Sequence, residues 1–238
     1  MAFAIVGSGT YAGGSWATSV APAKPEGVAA NDILFALLTR DGNIGDVTAP
    51  EGWTAIGDYT KGTADRWWLY YKVAGGSEGT TYTWQWANPQ KSMGLVVAYR
   101  DAFNTDDPID AVGNGEYVTS DTTLRATTVT VSAADSPLVM VGAAFYATAP
   151  VTFTTPASPG TWTEDYDTGN ATPDWWGCFH HTVIGAGATG NVDATMDSSQ
   201  TTKHAFLVAL NPPSGATTTP LHLLRTKFIP AQIGGRNG

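Results

Sequence analysis

Short segments of alternating or continuous apolar residues run along this chain, with Gly, Pro, Asn and Asp between them. In the first half they lie near 3–7, 16–20, 32–39, 53–60, 66–74, 80–87 and 92–100. In the second half they lie near 109–113, 125–132, 137–146, 162–167, 174–184, 189–196 and 203–210. Regular short segments separated by turn residues predict antiparallel strands. Since no stretch shows sustained helical periodicity, the pattern predicts an all-β protein, an antiparallel β-sandwich or jelly roll.

The two series of segments arise from an internal duplication. The sequence DVTAPEGWTAIGDYTKGTADRWWLYYKVAGG begins at Asp46, and TTPASPGTWTEDYDTGNATPDWWGCFHHTVIGAG begins at Thr154. Both contain Pro, Gly, Trp-Thr, Asp-Tyr and then an acid before a Trp-Trp pair. Three more segments find partners in the other half: NDILFALL with DSPLVMVG, GLVVAYR with AFLVALN, and AIVGSGTY with DAVGNGEY. We interpret residues 1–105 and 106–212 as two β-sandwich repeats, which form either two tandem sandwiches or one interleaved sandwich.

Residues 66–86, RWWLYYKVAGGSEGTTYTWQW, are rich in Trp and Tyr. They predict a hairpin, with strands at 67–73 and 81–86 joined by the turn AGGSEG. Side chains alternate between the two faces of a strand. One face then carries Trp67 and other apolar residues toward a core, and the other is mixed and faces solvent. Most of the rings are interpreted as core, and Trp68, Tyr70 and Lys72 on the mixed face are a possible glycan contact.

Composition supports strands and limits the partners. Hydrophobic residues make up 42% of the chain, charged residues only 14%, and the formal net charge is −9. A basic footprint, which nucleic-acid binding requires, is missing, so we expect no nucleic-acid partner. Adsorption to anionic membranes is disfavoured for the same reason.

The single cysteine and the N-terminus bear on cellular context. Cys178 lies in an apolar-aromatic run and is expected to be a buried, inert thiol. The N-terminus MAFAIVGSGTYAGG lacks the basic region of a signal peptide, and no apolar run reaches the length of a membrane span. We therefore expect synthesis in a reducing cytoplasm and no membrane partner.

The composition changes after residue 212. PPSGATTTP has the composition of a linker, and the segment that follows, LHLLRTKFIPAQIGGRNG, contains basic residues and no acid. Disordered tails are usually poor in large aliphatic residues, so residues 213–238 are interpreted as an extended basic arm that docks on a partner. Its candidate contact residues are Leu221, Leu223, Leu224, Arg225, Lys227, Phe228, Ile229 and Arg236.

The sequence contains only weak candidates for a catalytic or metal-binding site. The acids nearest to the repeated aromatic landmarks are Asp58, Asp65, Glu164, Asp165 and Asp174. Glycoside hydrolysis requires two carboxyl groups across a cleft, but an acid before both Trp-Trp pairs indicates a shared turn or cap. The histidines (His180, His181, His204 and His222) lack zinc-ligand spacing, and the Asp-rich loop NTDDPID lacks the spacing of an EF-hand. GSGTYAGG is interpreted as a strand end and turn, because no Lys-Ser/Thr or helix follows it. We predict no catalytic residues, no metal and no cofactor.

Several of these segments resemble a known family. TAPEGWTAIGD, LYYKVAGGSEGTTYTW, VVAYRDAFNTDDPIDA and the NDILFALL and DSPLVMVG blocks are similar to β-rich proteins encoded among the head and tail structural genes of tailed bacteriophages. The resemblance covers about residues 28–145, and the duplication extends it to 212. It implies a non-enzymatic virion protein, such as a capsid decoration or a head or tail accessory protein, made in the bacterial host cytoplasm.

In that role the partners would be other virion proteins and copies of the chain itself, reached through the arm and the strand edges. Two alternatives stay open. One is a carbohydrate-binding adhesin or receptor-binding module that uses exposed Trp or Tyr. The other is a glycan-degrading enzyme.

Overall fold

The computed structural model describes residues 2–42, 45–62, 65–115, 121–145, 151–170, 175–200 and 202–214. Within these residues the regular secondary structure consists of β-strands paired in antiparallel sheets. The prediction of an all-β antiparallel fold is therefore confirmed. The C-terminal arm from residue 215 onward lies outside the described residues.

The strands of the first half are β1 (Ala4–Ser8), β2 (Ala12–Val20), β3 (Ile33–Asp41), β4 (Thr54–Lys61), β5 (Asp65–Val73) and β6 (Trp84–Arg100). Those of the second half are β7 (Ile109–Asn114), β8 (Asp121–Ala126), β9 (Thr130–Val131), β10 (Ser136–Phe145), β11 (Phe153–Thr154), β12 (Thr163–Asn170), β13 (Trp175–Ile184), β14 (Gly187–Ala188), β15 (Val192–Gln200) and β16 (Thr202–Leu210).

The sheets follow the two halves of the sequence. The first half forms one six-stranded sheet with the order β1-β6-β3-β5-β4, and β2 also pairs with β6. The second half forms a five-stranded sheet with the order β12-β13-β10-β16-β7, a three-stranded sheet β11-β15-β8 and a small β14-β9 pair. We refer to β1-β6-β3-β5-β4 and β12-β13-β10-β16-β7 as the two main sheets.

Each main sheet is covered on both faces. The inner faces pack on each other around a central core that draws residues from both halves. The outer face of the first main sheet is covered by β2 and the first part of β6, through Val20, Trp84 and Trp86. The outer face of the second main sheet is covered by β8, β11 and β15. The described residues therefore form four β layers, with the two main sheets in the middle.

The long strand β6 explains how one repeat builds two layers. Its first part pairs with β2 in the outer layer, and its last part pairs with β3 and β1 in the main sheet. The second repeat follows the same path in two strands, because β15 pairs with β8 and β16 pairs with β10 and β7.

The Trp-Trp pairs take equivalent positions with a shifted register. Trp67 lies opposite Thr39 on β3, and Trp175 lies opposite Phe145 on β10. When the two repeats are aligned at Asn31 and Asp135, the counterpart of Phe145 is Asp41 rather than Thr39. The shift is thus two residues. Because strand faces alternate every residue, an even shift leaves each side chain on the same face. Trp67 and Trp175 accordingly both lie in the central core.

The predicted hairpin at 66–86 is wrong. Strands β5 and β6 are not neighbours in the main sheet, since β3 lies between them and pairs with both. Residues 74–83 instead lead from the main sheet into the outer layer. The expectation of a solvent-facing side for β5 is also wrong, because the outer layer covers that side with Trp84, Tyr82 and Trp53.

Candidate functional site

The proposed glycan-contact face is not exposed. Trp68 and Tyr70 are only 4% and 5% exposed, because they pack under the outer layer. The Arg40 and Arg66 guanidinium groups lie 5.1 and 4.7 Å from the centre of the Trp68 ring. Lys72 donates from Nζ to Glu78 Oε2 at 2.9 Å. These three residues therefore do not form a stacking platform on the surface, and the interpretation of the rings as core is the one that the geometry supports.

The predicted arm residues belong to the part of the chain beyond residue 214. Leu221, Leu223, Leu224, Arg225, Lys227, Phe228, Ile229 and Arg236 lie outside the described residues. The same holds for Asp174 and His222.

The candidate acids that are described lie in an ion pair, at the start of a strand or on an exposed strand face. Asp58 accepts both a hydrogen bond from Arg66 Nε at 2.9 Å and one from Arg66 Nη2. Asp65 is buried where β5 begins, and Glu164 is exposed on β12. Asn104 in the Asp-rich loop accepts the N–H groups of Asp106 and Asp107 at its own Oδ1. That arrangement is an Asx-type turn, which explains the loop without a bound cation.

The histidines that are described differ in environment. His180 and His204 are buried, and burial lowers the pKa of His180 to about 4 and that of His204 to about 3. The His204 ring stacks on Tyr59 of the other main sheet, with centroids 4.0 Å apart and the planes at 7°. Both imidazoles are therefore neutral at physiological pH, and His204 helps to hold the two halves together.

A polar network crosses between the two main sheets at Asp165. Tyr99 of β6 donates from its hydroxyl to Asp165 Oδ2 at 2.7 Å, and His181 Nδ1 lies 2.7 Å from Asp165 Oδ1. Phe3 stacks on Tyr99 with a centroid distance of 4.9 Å. Burial, reinforced by the Asp165 charge, raises the pKa of Tyr99 well above its usual value. A His–Asp pair can orient a catalytic base, but here the same carboxylate is occupied by a wholly buried tyrosine, so the network joins sheets.

A cleft of about 440 Å³ lies where the described chain ends. It is lined by Ala30, Asn31, Asp32, Arg100, Asp101, Ala102, Phe103, Thr105 and Pro213. Arg100 binds the buried Asp32 carboxylate with a fork of two hydrogen bonds, each 2.7 Å long, and also donates to Gly27 O at 2.9 Å. Asn31, Asp101 and Ala102 have left-handed backbone angles with φ of 71°, 66° and 54°. The cleft wall is therefore built from a fixed ion pair and tight turns.

The chain is held firmly just before it reaches this cleft. Asn211 donates from its main-chain N to Pro108 O at 3.0 Å, and its carbonyl accepts from Asn104 N at 2.8 Å. The Asn211 side chain donates to Asp107 O at 2.9 Å. Strand β16, directly before it, is buried along its whole length between β10 and β7. The chain is thus held at Asn211, directly after an inner strand of a main sheet.

One exposed aromatic residue was missed by the sequence analysis. Trp16 on β2 is 66% exposed, whereas Trp68, the proposed contact, is buried. Its backbone angle φ is 58°, which is uncommon for a bulky residue. The pairing of β2 with β6 shifts register on both sides of Ala17. Neither the bulge nor the exposure has a signal in the sequence AGGSWATSV.

Three further findings concern metal binding, membrane spans and the cysteine. Among the described residues, no group of three or more His, Cys, Asp and Glu side chains is placed to hold a metal ion. No helix in the described part of the chain has the length and apolar character needed to cross a bilayer. Cys178 is buried and free, and burial raises the pKa of its thiol.

No family model, no curated protein and no solved structure matches this chain. The resemblance to phage head and tail proteins therefore stays a prediction.

Proposed function

We propose that the protein is a non-enzymatic virion structural protein, a capsid decoration or a head or tail accessory protein, that attaches to neighbouring subunits through residues 213–238 and its strand edges. The observation that supports this most is the anchoring of the chain at Asn211 beside the 440 Å³ cleft. A segment that holds a particle together must transmit load to a stable part of the fold. Here it follows β16, an inner strand of a main sheet that is paired on both sides.

Charge supports the same role. The chain has 12 Lys and Arg residues and 21 Asp and Glu residues. Three of the basic residues, Arg225, Lys227 and Arg236, lie in the arm. Residues 1–212 therefore contain 9 basic and 21 acidic residues, which is a net charge of −12. Acidic bodies repel one another, whereas a basic arm is attracted to an acidic neighbour. The arm is therefore complementary in charge to an acidic neighbouring subunit.

Two of the candidate acids, Asp58 and Asp165, give the glycan-degrading alternative no support. Asp58 is committed to Arg66, and Asp165 to Tyr99 and His181. Neither offers a free carboxyl group across a cleft from a second one, as glycoside hydrolysis requires.

The test compares the full chain with a truncation that ends at residue 214. Phage particles are produced from a genome that lacks this reading frame, purified and mixed with each protein, and co-sedimentation is measured. We expect the full chain to bind with saturable stoichiometry and the truncation to lose at least 90% of the binding. A specific contact of this kind should bury about 1,200 Å² or more.

A charge variant keeps the segment length constant. Arg225→Glu combined with Lys227→Glu should weaken co-sedimentation, whereas the truncation and the charge variant should both keep the circular dichroism spectrum of the full chain. Normal incorporation of the folded truncation into particles would contradict the proposal.

A further inference from the structure

The described chain leaves the molecule from one end of the second main sheet, which we call the exit end. Strand β16 ends there at Leu210, directly before Asn211. Strands β13 and β16 both pair antiparallel with β10, so both end where β10 begins at Ser136. Since neighbouring strands are about 4.8 Å apart, the end of β13 lies about 10 Å from the start of the segment 213–238.

The end of β13 carries an exposed apolar depression. It has a volume of about 430 Å³ and is lined by Pro159, Gly160 and residues 183–188, none of which is charged. Val183 is 44% exposed, which makes it one of three large hydrophobic side chains exposed in the described part of the chain. Thr182 donates from its hydroxyl to Thr161 O at 2.7 Å and so holds one wall against β13. We call this surface the Val183 depression.

Aspartates without an ion pair surround the exit end. Asp135 directly precedes β10, whose first residue pairs with Ile184 of the Val183 depression. Asp107 lies two residues before β7, and Asp101 directly follows β6. Within the described ranges none of these three carboxylates takes part in an ion pair.

The cations of the first main sheet at this end do not neutralise them. Arg100 is bound by Asp32, and Lys72 by Glu78. Lys24 lies farther away, where its main-chain N donates to Thr80 O at 2.9 Å in the segment that leads into the outer layer. The exit end of the second main sheet therefore combines an apolar depression with negative charge, which attracts a segment that is both apolar and basic.

We propose that residues 221–229 of the same chain dock in the Val183 depression, with their apolar side chains in it and Arg225 and Lys227 beside the aspartates of the exit end. This segment contains Leu221, Leu223, Leu224, Phe228 and Ile229 and no acid. The eight residues 213–220 can span up to about 27 Å, which exceeds the distance of about 10 Å to the end of β13.

The tether selects the same chain over a second copy as the source of the segment. A segment attached this close meets its own depression at an effective concentration on the order of 1 mM, above that of free protein in solution. Such docking does not require the proposed attachment to a particle. In a protein that attaches through residues 213–238, the segment would have to leave its own depression first, so the docked form would hold the free protein back from self-association.

Trypsin cleavage after Arg225 and Lys227 reports on the docked segment. The full chain is compared with a synthetic peptide of residues 213–238, and mass spectrometry follows both bonds. We expect cleavage to be at least tenfold slower in the full chain than in the peptide. The rate constant should be the same at about 1 and about 100 µM protein, because the contact lies within one chain.

Two matched variants test the depression itself. Val183→Asp places a charge among its apolar residues and should bring cleavage to within twofold of the peptide's rate. Trp16→Asp makes the same kind of change at an exposed apolar residue on β2, which pairs with the first part of β6 away from the exit end, and should leave cleavage slow. Circular dichroism should show that both variants are folded.

A charge variant tests the aspartates. Asp135→Asn combined with Asp107→Asn should speed cleavage about threefold, since attraction to the basic residues is lost. Asparagine tolerates the left-handed backbone of residue 135, where φ is 59°.

Hydrogen exchange locates the contact. The amides of residues 185–188 should exchange at least tenfold more slowly in the full chain than in the truncation that ends at residue 214. Cleavage at the peptide's rate, or slow cleavage that Val183→Asp leaves unchanged, would overturn the proposal. So would protection that appears only as protein concentration rises and coincides with dimers in sedimentation velocity, since a second copy would then fill the depression.

Discussion

Strands β5 and β13 contain the same Trp-Trp pair but differ in the residues that follow it. Both direct the first tryptophan into the central core, where Trp67 and Trp175 each stack on Phe145 at centroid distances of 4.7 and 4.2 Å. After the pair, β5 continues with Leu69 and Lys72, whereas β13 has Gly177 and His180 at the corresponding positions. The first tryptophan of each pair joins the two main sheets, whereas Trp68 and Trp176 pack toward the outer layers, and the flanking positions have diverged.

The divergence gives the second repeat the buried histidines. Counted from the Trp-Trp pairs, His180 takes the place of Lys72. Counted from the paired strands, His204 takes the place of Met93, since Met93 lies opposite Thr39 and His204 opposite Ala143. A buried imidazole resists protonation, whereas methionine has no such response. The second repeat should therefore be the acid-sensitive half.

The largest effect is expected from the shared tryptophans. Trp67→Ala and Trp175→Ala should each lower the free energy of unfolding by about 3–5 kcal/mol, because each leaves a cavity in the central core. Guanidinium unfolding followed by circular dichroism measures this loss. Because both rings contact Phe145, the loss of stability in the double variant should differ from the sum of the two single losses. Trp176→Ala, at a half-buried site, is the control and should cost clearly less. Equal costs at Trp176 and Trp175 would contradict the role assigned to the first tryptophan of each pair.

The second effect is a loss of stability at acidic pH. The pKa of His204 is lowered to about 3, below its value of 6.5 in the unfolded chain. The unfolded state therefore binds more protons as pH falls below 6.5, and stability is lost from there toward pH 3. Between pH 7.5 and 4.5 this amounts to about 2–3 kcal/mol. His204→Met, which places the first repeat's residue in the second, should remove that part of the loss in urea unfolding at the two pH values. An unchanged pH dependence would show that the imidazole is not buried in solution.

The third effect tests a feature that both repeats share. A Cβ at Gly9 would lie 1.9 Å from Ala23 O, and one at Gly115 would lie 2.6 Å from Ala205 O, so main-chain atoms would have to move in both cases. Gly9→Ala and Gly115→Ala should each cost about 1–3 kcal/mol. Gly76→Ala is the matched control, because nothing lies within 4 Å of its added Cβ. Thermal unfolding should separate the first two variants from the third, and three equal melting temperatures would speak against the close approach.

These glycines also show what the sequence could reveal. The sequence pairs AIVGSGTY with DAVGNGEY and predicts a strand end and turn at this place. The structure supplies the reason, which is the passage of another segment over Gly9 and Gly115. Strand positions, the duplication and the alternation of faces along β5 were predictable because they depend on local pattern alone.

The covering of the main sheets depends on contacts between distant residues. Strand β10 is apolar at almost every position and β3 nearly so, which is the pattern of a strand buried on both faces. That signal was present, but it does not say what covers the second face. The hairpin prediction failed because β3 inserts between β5 and β6, and Trp16 was missed because a bulge alone turns it outward.

The smallest effect is expected at Asp167, where the second repeat carries an acid and the first, one residue after the matched tyrosine, carries Thr60. Burial raises the pKa of Asp167 to about 6, and the Glu164 and Asp197 charges add to the shift. A carboxyl whose folded pKa lies above its unfolded value stabilises the fold when protonated, and that stabilisation is lost as pH rises through 6. Asp167→Asn keeps an oxygen that can accept the Phe153 N–H, which lies 2.9 Å from Oδ2, and removes the charge.

Because Asp167 is partly exposed, we expect Asp167→Asn to raise the free energy of unfolding by only about 1 kcal/mol at pH 8 and not at all near pH 4. Asp193→Asn, which breaks the ion pair with Arg125, should instead destabilise slightly at pH 8. A gain for Asp167→Asn that persists unchanged at pH 4 would mean that the charge is not its cause.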